Sequence, residues 1–174
     1  MLKSCKNFGQ KLIWFVQYFI APPICYVCKK FLIEQQILCD DCDVQLVPVA
    51  PKLLVVNKSY TMTIHAMCKY DDPIKKMIVA KHHSDHLMFD ALADLVWQKT
   101  VIKNLSIDCF IPIPLHWSRK LKRGFNQAEI IAHRLAEYKS VPVYNMVSRT
   151  KKTEYQARVV RDLRQENVKD AFEV

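Results

Sequence analysis

The chain has 174 residues, of which 51% are hydrophobic and 25% are charged. This composition is sufficient for one ordinary domain, or for a small module joined to a short domain, and it excludes wholesale intrinsic disorder. The formal net charge of +9 favours phosphate-bearing partners such as nucleic acid, a phosphorylated small molecule or an anionic membrane, with a solvated basic surface as the plain alternative.

The N-terminal segment KLIWFVQYFIAPP begins at Lys11 and is apolar, but it is too short to span a bilayer and Gln17 interrupts it. The lysines before it would suit a signal peptide, yet no cleavage site of the A-x-A type follows. Its apolar residues share one helical face, and they are Leu12, Phe15, Val16 and Phe19. We therefore predict an amphipathic helix that ends at Pro22, no membrane span, and a cytoplasmic location.

Four of the seven cysteines follow at the spacing C-x2-C-x10-C-x2-C, and they are Cys25, Cys28, Cys39 and Cys42. Each C-x2-C turn can aim two thiolates at one point, so two turns complete the tetrahedral shell of Zn2+. Disulfides are the alternative, but a reducing compartment disfavours them, and a C-x-x-C redox motif lacks its usual strand and helix. Because four sulfurs leave no position for water, the spacing predicts a structural zinc ion.

A proline-marked linker comes next, and we place the domain boundary at its end. Residues 1–58 then form the N-terminal helix, a zinc-ribbon-like module and the linker, and residues 59–174 form the second domain. Alternation of apolar and polar residues from Tyr60 to Tyr70 predicts a half-buried strand. Helices are predicted from Pro73 and over Leu87 to Thr100, and the buried stripe of the second contains Met88, Leu92, Leu95 and Val96.

The segment IDCFIPIPLHWSRKLKRGFNQAEIIAHRLAEY predicts a buried parallel strand, a basic loop and a helix. The strand ends at Pro114, and Asn126 is a suitable N-cap for the helix, with Glu129 three residues later. Gly124 is one of only two glycines, which indicates a backbone with positive φ or a close approach to a ligand. Free N–H groups at the helix start and the basic residues together predict an anion site, with an ordinary solvated loop as the alternative. These basic residues are Arg119, Lys120, Lys122 and Arg123.

A further short strand is predicted for VPVYNMV, which begins at Val141. The order strand, helix, strand, helix, strand is typical of an α/β fold with a parallel sheet. Trp117 and Phe125 flank the basic residues and would offer stacking platforms for single-stranded bases, although packing of the loop is the simpler role for them.

The chain resembles the ComF family, the amidophosphoribosyltransferase-like proteins linked to DNA uptake in competent bacteria. The resemblance rests on four segments in the family's order, from Ile24 onward: ICYVC with LCDDC, YDDPIKKMIVAKHH, the strand and helix around RGFNQ, and SRTKKTEYQARVVRDLRQENVKDAF. RGFNQ is the most specific of them. The resemblance implies a type I phosphoribosyltransferase-like, parallel-sheet α/β domain behind the helix and the four-cysteine zinc module.

In that fold, the loop after the first core strand helps to hold the pyrophosphate of phosphoribosyl pyrophosphate, with Mg2+ in a complete homologue. By matching position, the resemblance assigns this role to Arg119, Arg123, Gly124, Asn126 and Gln127. The stretch from Arg149 to Asn167 resembles a mobile, basic cover over the active site. The remaining positions that match the family's pattern are Lys81, Arg149, Thr153, Gln156, Arg164 and Asn167.

The family's central phosphate-binding element is an apolar strand with two acidic residues and a Thr-Thr-Gly turn, and these 174 residues do not contain it. We therefore expect an incomplete sheet with an exposed apolar edge, and no useful transferase turnover from this polypeptide. A truncated or frameshifted gene product, or an incomplete gene assignment, would explain an end at Val174.

Two functional hypotheses follow. The first is a ComF-like phosphoribosyltransferase homologue, catalytically impaired as it stands, that acts in natural transformation and binds phosphoribosyl pyrophosphate, single-stranded DNA and DNA-uptake proteins. The second is a non-enzymatic, zinc-containing nucleic-acid-binding or adaptor protein. The missing acidic turn favours the second hypothesis for this chain. The RGFNQ segment favours descent from the proteins of the first hypothesis. The sequence identifies no catalytic residue.

Overall fold

The computed structural model describes residues 22–33, 36–79 and 86–174. The chain divides into two compact units, Met1–Ala80 and Lys81–Val174. The predicted N-terminal helix lies outside the described residues, and the predicted boundary at residue 58 stays a prediction. Within the described ranges, no helix has the length and the apolar composition that crossing a bilayer requires.

The described part of the first unit begins with the cysteine module, where two tight turns carry the thiols. Around the first turn, the N–H of Cys25 donates to the carbonyl of Lys30 at 2.9 Å, and a bridge pairs Ile24 with Phe31. The second turn leads into a short helix, α1 (Asp40–Asp43). These turns are local structures, which is why the C-x2-C spacing alone predicts them.

An antiparallel hairpin follows, in which β1 (Lys52–Val55) pairs with β2 (Thr61–Ile64). The structure differs here from the predicted half-buried strand, because the strand covers only four residues and every residue of both strands is exposed. β1 also lies within the predicted linker. An alternating sequence supplies an apolar face, but that face becomes buried only where another element packs against it.

The last described helix of this unit is α2 (Ile74–Val79), in the place predicted for a helix from Pro73. Ile74 and Met77 are buried, and Lys76 Nζ lies 2.9 Å from Asp72 Oδ2. This pair, four residues apart, supports the first turn of the helix.

The second unit is built around α3 (His86–Lys99) and α5 (Gln127–Lys139). The stripe predicted for α3 is buried at Met88, Leu92 and Leu95, whereas Val96 is only half-buried. The residues that α5 buries are Ala132, Leu135 and Ala136. The apolar faces of these two helices therefore contribute most of the buried side chains in this unit.

Polar contacts fix the position of α3 along α5. Asp94 on α3 accepts hydrogen bonds from Arg134 Nε at 2.9 Å and from Tyr138 Oη at 2.7 Å, both on α5. The ring of Trp97 stacks on that of Tyr138, with their centroids 5.0 Å apart. Because the carboxylate receives two donors and the rings cover the contact, sliding of one helix along the other would break several bonds together.

The segment predicted as a basic loop is largely a helix, α4 (Trp117–Arg123). Its sequence WSRKLKR contains neither glycine nor proline, and Leu, Lys and Arg are good helix formers. His116 caps the helix, since its side chain accepts from the N–H of Ser118. In the described ranges, the remaining helical elements are two short 3-10 helices and one short α-helix, at Val101–Asn104, Arg161–Leu163 and α6 (Arg164–Val168).

The predicted parallel sheet is represented, among the described residues, by a parallel bridge between Phe110 and Val143. Ile111 and Ile113, which were predicted to be covered on both faces, are 43% and 60% exposed. A second antiparallel pair joins β3 (Ser148–Arg149) to β4 (Phe172–Glu173). The fold is thus a mixture of helices and small sheets, and it does not confirm a type I phosphoribosyltransferase sheet.

Candidate functional site

The four cysteines predicted as metal ligands lie together, and we call them the cysteine group: Cys25, Cys28, Cys39 and Cys42. All their Sγ atoms are within 4.8 Å of one another, and Cys28 Sγ lies 3.6 Å from Cys39 Sγ. A tetrahedral ion with Zn–S bonds of about 2.3 Å separates its sulfurs by about 3.8 Å, so this arrangement fits such an ion. All four are free thiols, and the group can hold a metal ion.

The pKa values of two thiols in the cysteine group are shifted in opposite directions. Burial opposes ionisation of Cys25, but hydrogen bonds from the backbone of Cys28, Cys39 and Val27 outweigh burial and lower the pKa of this thiol to about 6. Burial, together with the neighbouring thiols, raises the pKa of Cys42 far above its ordinary value. A bound cation would therefore have to displace protons from the group, and its affinity would fall with falling pH.

A second constellation joins residues that are distant in sequence, and we call it the arginine cluster: Arg119, Arg149 and Thr153. Arg119 on α4 donates through Nη2 to the carbonyl of Thr153. Arg149 on β3 donates through Nη2 to Thr153 Oγ1 at 2.5 Å. Thr153 is buried, so both guanidinium groups are directed to one fixed point.

The arginine cluster carries two positive charges. Within the part of the chain that the structure describes, no Asp or Glu forms an ion pair with Arg119 or Arg149. Burial lowers the pKa of Arg149, and the charge of Arg119 lowers it further. The buried Nε of Arg149 also has no hydrogen-bond partner. An anion bound here would relieve the repulsion and satisfy this donor.

A cavity of about 180 Å3 lies at Arg119, and its other lining residues are Lys122, Arg123 and Tyr155. Arg123 Nη1 donates to Gln127 Oε1 at 2.5 Å, which ties the end of α4 to the start of α5. Three cationic side chains around one small cavity create a positive potential that attracts anions.

Gly124 and Asn126 shape the turn between α4 and α5, as predicted. Gly124 has φ of 87°, and the side chain of Asn126 accepts from the N–H of Ala128 at 3.2 Å. Both residues line a different cavity, of about 760 Å3, beside Lys120. Lys120 Nζ lies 3.2 Å from Glu129 Oε2. Of the predicted phosphate loop, Arg119 and Arg123 therefore line the smaller cavity, whereas Gly124 and Asn126 line the larger one. Lys120 is paired with an acid.

Replacing Gly124 by Ala should destabilise the second unit by about 1–2 kcal/mol, because an L-residue pays this amount for left-handed backbone. Among the described residues beyond its two chain neighbours, no heavy atom lies within 4 Å of the position that the new Cβ would occupy, so we attribute the effect to backbone strain. Gly124→Asn should cost less, since Asn visits this region more readily. Urea unfolding measures both variants, and equal stability of the Ala and Gly forms would contradict the expectation.

The other predicted residues of the C-terminal segment bind its main chain. Gln156 Nε2 donates to the carbonyl of Arg164 at 3.2 Å, and the side chain of Asn167 bonds the N–H and the carbonyl of Glu154 at 3.1 and 3.2 Å. Arg164 Nε donates to the carbonyl of Val159. These bonds hold the segment together, and a role for these side chains in phosphate binding stays a prediction. Lys81 lies outside the described residues.

Sequence reasoning missed Tyr155 and Arg158. The Cζ atoms of Arg119 and Arg158 lie 4.3 and 5.5 Å from the centroid of the Tyr155 ring. Tyr155 lies two residues after Thr153, and this proximity could have indicated a role for it. However, no local sequence pattern predicts that Tyr155 contacts α4.

The two aromatic residues that flank the basic segment have different surroundings. Phe125 is buried, with its ring 4.2 Å from that of His86 and 5.7 Å from that of Phe89, so its role is packing. Trp117 is 66% exposed and its ring lies 5.5 Å from that of His116. Of the two predicted stacking platforms, only Trp117 is therefore accessible to a base.

Comparison with known proteins gives one partial relationship. Competence protein F of Haemophilus influenzae is 35% identical to the chain over 66 residues. The match covers 37% of this chain and 29% of that protein, so it spans less than a third of the relative's length. No family model and no solved structure matches the chain. Over the matched segment, the chain is similar to competence protein F.

Proposed function

We propose that the second unit binds a phosphate-bearing ligand at the arginine cluster and that the protein acts in DNA uptake. The observation that supports this most directly is the convergence of Arg119 and Arg149 on Thr153, without an acidic partner among the described residues. Guanidinium groups suit phosphate because their planar forks donate two parallel hydrogen bonds. The relationship to competence protein F supports the biological context.

Two ligands offer phosphate groups to such a site, and they differ in how well they fit the chain. The resemblance to phosphoribosyltransferases suggests phosphoribosyl pyrophosphate, but the Thr-Thr-Gly turn that would hold its 5'-phosphate does not occur in these 174 residues. A single strand of DNA engages many cations at once, and the net charge of +9 favours it. We therefore expect single-stranded DNA to bind more tightly than phosphoribosyl pyrophosphate, and no useful transferase turnover.

We also propose that the cysteine group holds a structural zinc ion. Four sulfurs within 4.8 Å of one another offer the ligand type and number of a closed zinc shell. Such an ion would stabilise the module and take no part in chemistry, because no coordination position remains for a substrate or water.

Fluorescence anisotropy with an oligothymidylate probe tests ligand binding, and calorimetry with phosphoribosyl pyrophosphate and Mg2+ provides the second arm. For three phosphate contacts, the affinity for the oligonucleotide should fall about 20-fold between about 50 and about 200 mM salt. A flat salt response would contradict binding through the backbone phosphates.

The same pair of titrations separates the two functional hypotheses. Micromolar binding of phosphoribosyl pyrophosphate would favour a transferase-like site, and binding of oligothymidylate alone would favour a non-enzymatic nucleic-acid-binding protein. If neither ligand binds, the proposed function is wrong.

A further inference from the structure

Tyr155 lines the small cavity, and its ring lies close to two guanidinium groups. Its ring faces the guanidinium groups of Arg119 and Arg158, lines the cavity of about 180 Å3, and is 44% exposed. The N–H of Arg158 donates to the carbonyl of Tyr155 at 2.8 Å, so a tight turn brings this arginine back beside the ring. A single aromatic side chain thus contacts one arginine from α4 and one from the C-terminal segment.

An aromatic face can hold cations in a way that a carboxylate cannot. The face of a tyrosine ring is negative and attracts a guanidinium group, but the ring carries no net charge. A carboxylate would also fix the arginines, yet it would neutralise them and compete with an incoming anion. Here an aromatic ring lies against the guanidinium groups of Arg119 and Arg158, and among the described residues no acid forms an ion pair with either.

Fixing these side chains matters because free arginines are flexible. Each would lose rotamer freedom when an anion binds, and this loss lowers the affinity. Arg119 is already restrained by its bond to the carbonyl of Thr153 and by the Tyr155 ring. Pre-organisation of the cationic groups before the ligand arrives removes much of that entropic loss.

We propose that Tyr155 is a positioning residue, which holds Arg119 at the small cavity and Arg158 beside the same ring, and thereby raises the affinity for phosphate groups. This inference rests on the proposed function of the arginine cluster. It requires the aromatic face of Tyr155 and does not require its hydroxyl group.

The test compares Tyr155→Phe, which keeps the face, with Tyr155→Leu, which keeps an apolar side chain without it. With the oligothymidylate probe, Y155F should bind within about twofold of the wild type, and Y155L should bind about threefold to thirtyfold more weakly. Thermal unfolding of Y155L should match that of Y155F. Equal affinity of Y155L and the wild type, or an equal loss in Y155F and Y155L, would overturn the proposal.

Binding by the variant R119A/R149A separates this proposal from the proposed function. If the variant R119A/R149A loses affinity and Y155L does not, the role of Tyr155 is wrong and the arginine cluster stands. If R119A/R149A binds like the wild type, the proposed function itself is wrong. A third readout needs no ligand: the ring of Tyr155 should shift the NMR signal of the Arg119 Nε–H group in the wild type and in Y155F, and Y155L should abolish that shift. An unshifted wild-type signal would contradict the positioning.

Discussion

Replacement of Cys42 by Ser is expected to abolish metal binding and to unfold the cysteine module. Cys42 is buried on α1 with its thiol in the cysteine group, so its loss leaves three sulfurs and an open shell. In zinc-finger peptides, a structural zinc ion contributes about 10–16 kcal/mol to folding, which is comparable to the whole stability of a domain, about 5–15 kcal/mol. Elemental analysis of the purified protein should give one zinc per wild-type chain and far less than one per variant chain.

The matched control is Cys68→Ser, which removes a half-buried thiol of the same unit that lies outside the cysteine group. This control should retain its zinc and its thermal unfolding profile. Chelation of the wild-type protein should reproduce the effect of C42S on the first unit. If purified wild-type protein holds less than half an equivalent of zinc, with disulfides between these cysteines, the metal hypothesis is wrong.

Replacement of both Arg119 and Arg149 by Ala is expected to weaken oligothymidylate binding by about a hundredfold or more. A hydrogen bond to a charged group contributes about 1.5–3 kcal/mol, and the double variant removes at least two such donors. The variant R119K/R149K keeps the charge but loses the planar fork, so its affinity should be intermediate. Anisotropy at one fixed salt concentration measures all of these variants.

A control for net charge is available in the variant K58A/K103A. Both lysines are exposed, so this variant removes the same two positive charges without touching the arginine cluster. We expect its affinity to fall by no more than about threefold, because salt screens exposed surface charges strongly. Equal losses in K58A/K103A and R119A/R149A would show that diffuse charge carries the binding, and the arginine cluster would then have no special role.

The local features of the molecule could be predicted because each depends on a few neighbouring residues. Asn126 caps α5, Gly124 adopts positive φ, and the cysteines meet through their own turns. The apolar stripe of α3 follows in the same way from helical periodicity. The loop predicted over Arg119 to Arg123 is wrong at this same local level, because the helix propensity of the segment WSRKLKR favours a helix there.

The sequence by itself determined which side chains the protein has for metal and anion chemistry. The spacing of the four cysteines also determined that their thiols lie close together. Only the tertiary structure decided that Arg119 and Arg149 converge on Thr153, that Tyr155 joins them, and that Ile113 lies exposed. The physical reason is the separation along the chain between the residues that make each contact. Turns, caps and helical stripes depend on contacts within a few residues, whereas the cluster requires α4 and the C-terminal segment to meet across more than thirty residues of chain, and no spacing within either segment encodes that meeting.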